Sequence, residues 1–256
     1  MGDVRVVAFT SDGYIWAMYP FAYLFNVYWS AQQPVLVVGY TPPYFQLPGN
    51  FSFYSVAQPG WGPNRWTDKL IAGLNAIPDD IFVLMLDDYW LCRTVDCRAV
   101  ASLADYMRDH QDVLRIDLTA DRAMSTRAVD VDTWGCLDII ETDRSTSYQW
   151  STQACLVNRE HMLACLKPGK TPQEFELSGN DVIPQELRVL GTRQYPVRYV
   201  NAVGTGLESQ YLYRTEHIRP GIWGTTVERI PAEHIAFMQE HGLLPDGKRL
   251  NNGVNR

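Results

Sequence analysis

Between Gly13 and Asn64 the chain has no aspartate, glutamate, lysine, arginine or histidine, a run of 52 residues holding 15 of the 31 aromatic residues. Its most apolar part, Tyr14 to Trp29, is 16 residues long and broken by Pro20 and Asn26. A membrane-spanning helix needs roughly 20 apolar residues, so the segment predicts a buried helix, with a membrane- or partner-facing patch as the other reading. Cysteine is scarce: five residues, an odd number, exclude a disulfide scaffold, and with neither C-x-x-C nor paired-histidine spacing a structural zinc site has no support. No G-x-G-x-x-G follows the first apolar run, and no Walker loop or G-x-S-x-G elbow occurs. Ordinary dinucleotide, P-loop and hydrolase readings therefore lack their defining devices. The first residues, MGDVRVVAFTSDG, have no basic region leading into an apolar core, so a secretory signal is not expected.

What is present is a regular alternation. Lysine and arginine number 22 against 29 acids, a net charge of −7, and 46% of residues are hydrophobic. That balance suits a globular chain and disfavours a large nucleic-acid footprint. Short apolar runs at Val4–Phe9, Pro34–Gly39, Phe51–Val56, Ile81–Leu86, Val113–Leu118, Leu137–Ile140, Thr152–Val157 and Arg198–Val203 predict strands. Helical spacing predicts helices at Trp16–Trp29, Arg65–Ala76, Val95–His110, Arg159–Leu166 and Pro231–His241, with a polar turn-helix stretch over Thr171–Leu187. Strand and helix in turn mean an α/β fold around a mostly parallel sheet. No repeat or low-complexity linker divides the chain, which reads as one domain.

Asp87 and Asp88 follow the most apolar strand. Ligands of open α/β sheets bind at the carboxyl ends of strands, and two adjacent carboxylates there repel unless something positive joins them. A divalent cation bridging to substrate phosphate is one explanation, and Asp88 capping a turn through Tyr89-Trp90-Leu91 is the other.

The run Val83-Leu84-Met85-Leu86-Asp87-Asp88-Tyr89-Trp90-Leu91 resembles the acidic motif of GT-A glycosyltransferases, closest to a bacterial and viral subgroup with an L-D-D-Y/F-x-L segment. Further pieces fall in that subgroup's order. They are Tyr28-Trp29, Pro34-Val35, Gly39-Tyr40 and Gly60-Trp61, then Trp150 to Arg159 resembling its S-x-Q strand. Thr171-Pro172-Gln173-Glu174-Phe175-Glu176 resembles P-W-x-F-E, and Asn201-Ala202-Val203 a late N-A-V strand. Asn158 and Gln173 stand where the subgroup has aromatics.

The resemblance spans about residues 4 to 206. It implies a GT-A-like (Rossmann-like), mostly parallel central sheet flanked by helices, with a C-terminal extension. Within one catalytic domain over 1–256, residues 1–118 would form the nucleotide-sugar half and 119–230 the acceptor half, with helix and tail over 231–256. It implies transfer from a nucleotide-diphosphate sugar, UDP-sugar favoured, to an acceptor hydroxyl, assisted by Mn²⁺ or Mg²⁺. Asp88 would be the first metal ligand, and Asp87 would meet the ribose or the metal through water. Thr10, Ser11 and Asp12 would hold base and ribose, unless Asp12-Gly13 is simply a turn. Arg65 and Lys69, one helical turn apart, would meet the diphosphate unless they are surface charges, which is the slightly favoured reading. Ser151 and Gln153 would line the sugar pocket, with Trp150 either a stacking face or a core aromatic.

Glu176 would take the acceptor's proton, with Glu174 the fallback and Asp181 third. On an extended segment Glu174 and Glu176 point the same way, while on a helix they diverge, and both can also be a solvated capping pair. His217 would close the metal shell or else be an ordinary surface or core histidine. The implied partners are a glycan acceptor, such as envelope polysaccharide, or modified DNA bases as in some viral relatives. The implied compartment is the cytoplasm, including the inner membrane face or a host cytoplasm. A binding module that kept the fold without the chemistry is the alternative class. The prolines and glycine of the loop over 41–50 predict exposure of Tyr44 and Phe45, at a homo-oligomer or acceptor interface.

Overall fold

The computed structural model describes residues 4–58, 65–125, 127–202, 221–223, 226–228 and 230–244. The first half holds strands β1 (Val6–Phe9), β2 (Val35–Gly39), β3 (Phe51–Ser55), β4 (Ile81–Leu86), β5 (Tyr89–Leu91) and β6 (Val113–Asp117). Its helices are α1 (Met18–Phe25), α2 (Trp66–Ala76), α3 (Cys97–Asp109) and the short α4 (Ala120–Ala123). Then follow β7 (Ala128–Trp134), β8 (Leu137–Thr142), β9 (Cys155–Asn158), α5 (Arg159–Cys165), α6 (Pro172–Val182), β10 (Arg188–Thr192) and β11 (Tyr199–Asn201). A small ribbon, β12 (Gly221–Trp223) with β13 (Thr226–Glu228), precedes α7 (Ala232–Glu240).

Nine strands form one sheet in the order β3-β2-β1-β4-β9-β6-β10-β8-β7, and only β8 and β9 run against the rest. This is the α/β, mostly parallel arrangement the alternation predicts. Period-two alternation sends β1 side chains to two cores: Val6 and Ala8 pack with α1 and α3, Val7 and Phe9 with α2 and α5. Helices therefore cover both faces, as buried parallel strands require.

The charge-free segment is core. Met18, Phe21, Ala22, Leu24 and Phe25 are at most 1% exposed. It is not one regular helix, however. A 3₁₀ turn, Ile15–Ala17, leads into α1, and a π turn, Asn26–Ser30, ends it and offers the Tyr28 carbonyl to the Val95 amide at 2.8 Å. Helix starts follow capping chemistry elsewhere. Asp96 accepts from the amides of Arg98 and Ala99, Asn158 from that of His161, and Thr171 with Glu174 forms a reciprocal capping box on α6.

Four differences from the sequence reading matter. Tyr89-Trp90-Leu91 is not a capped turn but strand β5. The late strand is β11, and it pairs with β5 in a separate two-stranded sheet. Strand β9 begins only at Cys155, which leaves 151–154 irregular, with the amides of Thr152 and Gln153 donating to side chains instead of a neighbouring strand. Strands β7 and β10 and helix α4 fall outside the predicted elements. Among the described residues no helix is long and apolar enough to cross a membrane.

Candidate active site

Strands β1 and β4 are neighbours in register, with Phe9 beside Leu86, so the residues that follow each strand meet at one sheet end. The hydroxyl of Thr10 donates to Asp87 Oδ2 at 2.6 Å, and the Ser11 backbone beside it favours the ionised carboxylate. The backbone holds both aspartates from either side. The Asp87 amide donates to the Phe9 carbonyl at 3.2 Å, and the Asp88 carbonyl accepts from the Ala202 amide at 2.8 Å.

Lys69 comes to the same point from α2. It is 2% exposed, and its ammonium donates to the Thr10 carbonyl at 2.6 Å and lies 5.1 Å from the centre of the Tyr40 ring. The surface reading of Lys69 is therefore corrected. Gly73, one turn further on, explains how the side chain arrives. A Cβ there would lie 2.8 Å from Val38 and 2.9 Å from Phe9, so only glycine lets α2 sit this close to the sheet. Gly39 acts likewise beside Thr10, whose Cγ2 a Cβ would meet at 2.7 Å.

Burial pushes the Asp87 carboxyl up to about 7 against the Thr10 hydrogen bond and the Lys69 charge, which favour its ionised form. Asp88 is raised well above the usual carboxylate range by burial and by the Asp87 charge. Burial lowers Lys69 to about 8. Asp88 Oδ1 is shut from solvent with no hydrogen-bond partner among the described residues. A buried acceptor left in that condition is costly. Two adjoining hard oxygen donors, one unpartnered, suit a divalent cation of the magnesium or manganese kind. Among the described residues no three His, Cys, Asp or Glu side chains gather into a ready-made metal cage. A cation here would take its remaining ligands from substrate and water, as Mg²⁺ commonly does.

A second acidic group faces this pair. Glu176, on α6, accepts from the Thr152 amide at 2.7 Å and the Thr152 hydroxyl at 2.8 Å, and the Tyr89 phenol lies 3.1 Å from that hydroxyl. The irregular backbone before β9 makes the Thr152 amide available. The negative charge of Glu176 is felt at Asp88. On the helix the two glutamates diverge. Glu174 caps α6, its carboxylate accepting from the amide (2.8 Å) and hydroxyl (3.0 Å) of Thr171. Asp181 is exposed on the same helix.

The other predicted residues are placed as follows. Asp12 accepts from the Thr41 amide at 3.0 Å and so ties the loop after β1 to the loop after β2. Arg65 is half exposed at the start of α2, 3.7 Å from Asp68, and does not share the burial of Lys69. Gln153 Oε1 accepts from the Thr119 hydroxyl at 2.8 Å. Trp150 is a core aromatic, 1% exposed, with its ring centre 5.2 Å from that of Phe175, so no sugar reaches its face. His217 lies outside the described residues. Tyr44 is 73% exposed, whereas Phe45 is half-buried and stacks on Tyr19 at 4.5 Å, which corrects the prediction that both are free.

Sequence reasoning did not single out Tyr14, Tyr199 or Asp121. The Tyr14 phenol is raised by burial and by both aspartates. The Tyr199 ring lies 4.4 Å from that of Tyr89. Asp121, in the first turn of α4, is raised to about 6 by burial and by Asp117. The one signal for Asp121 was an acid four residues beyond the end of an apolar strand. Beneath it Asp117 is bonded by two buried guanidiniums, those of Arg115 and Arg122.

No known protein family matches the chain, and no curated protein is similar to it. Among solved structures, the UTP-bound UGPase from Acinetobacter baumannii superposes with a TM-score of 0.46 at 10% identity, over 77% of this chain and 88% of that one. S. aureus TarS superposes with a TM-score of 0.46 at 11% identity, over 84% of this chain and 65% of that one. The galactosyltransferase LgtC, solved with donor and acceptor sugar analogues, gives 0.34 at 12% identity, over 75% and 68%. At such identities residue roles do not transfer, and the site is read from its own side chains.

Proposed function

We propose that the chain is a glycosyltransferase that moves a sugar from a nucleoside-diphosphate donor, UDP-sugar favoured, to an acceptor hydroxyl. The observation that carries this reading is the division of the acids into two systems. Asp87 and Asp88 are locked at the sheet end with an unpartnered oxygen, and Glu176 stands apart, held by Thr152. Transfer needs both: a place for a metal-bound diphosphate, and a separate carboxylate for the acceptor.

In this reading Asp88, with Asp87 beside it, holds Mn²⁺ or Mg²⁺ together with the donor diphosphate. Such an ion acts as a Lewis acid that offsets the charge of the departing diphosphate. Thr10, Ser11 and Asp12 frame base and ribose, and Lys69 and Thr10 fix Asp87 in place. Gln153 lies on the donor-sugar side. The acceptor oxygen attacks the anomeric carbon, the bond from that carbon to the diphosphate oxygen breaks, and the acceptor proton passes to Glu176. Both hydrogen bonds that Thr152 gives to Glu176 fall on Oε1.

Nucleotidyl transfer is less well supported. It would need cations along the loop after β1, where Thr10-Ser11-Asp12-Gly13 supplies none and Lys69 is bound to the Thr10 carbonyl. The test is calorimetry and product detection with a panel of nucleotide sugars and Mn²⁺. The expected result is metal-dependent binding and slow release of nucleoside diphosphate. Binding without turnover under any acceptor would point to the non-catalytic module, and pyrophosphate release from nucleoside triphosphate plus sugar phosphate would point to nucleotidyl transfer.

A further inference from the structure

Arg115 is the central residue of β6 and is fully buried, an expensive place for a charge. Its Nη2 bonds the Asp117 carboxylate, but Asp117 also takes Arg122 Nε at 2.8 Å, so two guanidiniums stand against one carboxylate. Ion pairing therefore explains one arginine and not both. The Nη1 of Arg115 donates to the Ser151 carbonyl. That carbonyl and the Thr152 amide belong to one peptide group, and in a trans peptide, as here, C=O and N–H point in opposite directions. The guanidinium thus holds one end of the peptide, and Glu176 Oε1 receives the other at 2.7 Å. The rest of the segment is pinned around this line. The Ser151 hydroxyl accepts from the Gln153 amide at 3.1 Å, and the Ala154 carbonyl from the Leu118 amide at 3.1 Å.

A peptide whose oxygen is held by a cation has its N–H polarised too, and hydrogen bonds in series strengthen one another away from water. A second line ends on the same atom. The Thr152 hydroxyl gives its one proton to Oε1 at 2.8 Å, so the Tyr89 phenol, 3.1 Å away, is the donor to that hydroxyl. Both lines meet at Oε1, and among the described residues no protein group donates to Oε2. We infer that Arg115 is a positioning residue for Glu176: through the Ser151–Thr152 peptide it fixes Oε1 and leaves Oε2 as the atom that takes the acceptor's proton. This rests on the transferase reading, which makes Glu176 the base. Stability alone does not account for Arg115. Its Nε is shut from solvent with no partner among the described residues, and such a donor is costly.

The test uses the full chain, Mn²⁺ and the nucleotide-sugar panel of the screen above, with methyl hexosides or water alone as acceptor. The proteins are the parent, Arg115→Met, Arg115→Lys, Glu176→Gln, and Arg115→Met combined with Glu176→Gln. A misplaced reacting group costs up to about 100-fold, so Arg115→Met should lower kcat by about 10- to 100-fold, with acceptor KM and calorimetric donor affinity within about twofold of the parent. Arg115→Lys keeps a cation for the Ser151 carbonyl and should regain part of kcat. In Glu176→Gln no base is left to position, so adding Arg115→Met should cost less than about twofold more, whereas independent losses multiply. Asp117 keeps Arg122 in Arg115→Met, so the variant should fold, and a thermal midpoint checks this. If it does not fold, the Arg115 Nη proton resonances decide. They should shift between the parent and Glu176→Gln, because the charge at the far end of the peptide is gone although Arg115 does not touch it. Unmoved resonances, multiplying losses, an unchanged kcat, or a raised KM at full kcat overturns the inference. A parent that turns over no nucleotide sugar of the screen instead overturns the transferase reading, and the inference falls with it.

Discussion

The Thr10 hydroxyl and the Asp87 carboxylate meet at 2.6 Å across 77 positions of sequence, and this contact joins the ends of β1 and β4. It both orients Asp87 and favours its ionised form. Thr10→Val keeps the shape and removes the donor. Metal-dependent nucleotide-sugar binding should weaken by about tenfold, the usual worth of a hydrogen bond to a charged group. The pH at which binding is lost should also move upward. Calorimetry across pH 6 to 9 (about one unit per step) checks both. Unchanged affinity in a folded Thr10→Val protein removes Asp87 from the binding site.

Metal binding and stability are linked through the same acids. In the folded chain Asp87 titrates at about 7 and Asp121 at about 6, both above the model-peptide 3.8. The folded state then holds protons that the unfolded state has released, so stability falls as pH rises from about 4 through 7. Lys69 is shifted the other way, from 10.5 to about 8, and its cost is relieved only as pH rises above about 8. The carboxyls with depressed values, Asp130, Asp143 and Glu174, act only below about pH 4. Without divalent ions the thermal midpoint should therefore be higher at about pH 5.5 than at about pH 7.5. Asp88→Asn, which removes a repelling neighbour, should raise the neutral-pH midpoint and abolish any further rise with Mn²⁺. Differential scanning calorimetry with and without Mn²⁺ measures this, and an Mn²⁺-induced rise that survives Asp88→Asn excludes Asp88 as a ligand.

The two glutamates of α6 give opposite expectations. Glu176→Gln keeps size and removes the proton acceptor, so transfer should fall by roughly 10²- to 10⁴-fold while donor binding barely moves. Glu174→Gln touches only the helix cap, where glutamine can still accept from Thr171, so the melt should barely move and transfer should not change. Steady-state rates beside thermal melts separate the two. Loss of transfer in Glu174→Gln alone would reverse the roles.

Strands β1, β2, β4 and β6 are legible in the sequence because buried parallel strands are continuous apolar runs. Strand β7 is not. It is an exposed edge strand whose register shifts between Asp130 and Asp132, which breaks its alternation. Strand β5 is three residues long and owes its existence to β11, more than 100 positions away. The aspartate pair is legible because adjacent acids at the end of an apolar strand have few local explanations. Lys69 is not, since its burial depends on how closely Gly73 lets α2 approach Val38 and Phe9. Asp121 is hidden for a similar reason: the start of its helix is held to 151–154 through Leu118 and Thr119, none of it near in sequence.

Gly39 tests how tightly the Thr10 position is set. An added Cβ would lie 2.7 Å from Thr10 Cγ2 and 3.1 Å from the Phe53 ring. Gly39→Ala should destabilise by about 1–3 kcal/mol through overpacking, and it should also weaken donor binding because Thr10 must move. Urea unfolding and donor titration of the same sample measure both. A stability loss with intact donor affinity would show that the Thr10 side chain can yield without disturbing Asp87.

Tyr44 and Phe45 separate exposure from packing. Tyr44 is 73% exposed, and its ring meets only the edge geometry of Phe45, at 5.2 Å. Phe45 stacks on Tyr19, and the loop they share is held to the site by the Asp12–Thr41 hydrogen bond. Tyr44→Ser should leave stability within about 0.5 kcal/mol, as surface substitutions do, while Phe45→Ser should cost more through the lost stack. An exposed aromatic on a loop anchored to the loop after β1 is suited, on the proposed function, to contact with a second chain or with the acceptor. Size-exclusion with light scattering and a transfer assay, run on Tyr44→Ser, should therefore show a changed mass or a raised acceptor KM. If mass and kinetics both match the parent, Tyr44 is an exposed side chain with no interface, and the role of the loop ends at holding Asp12.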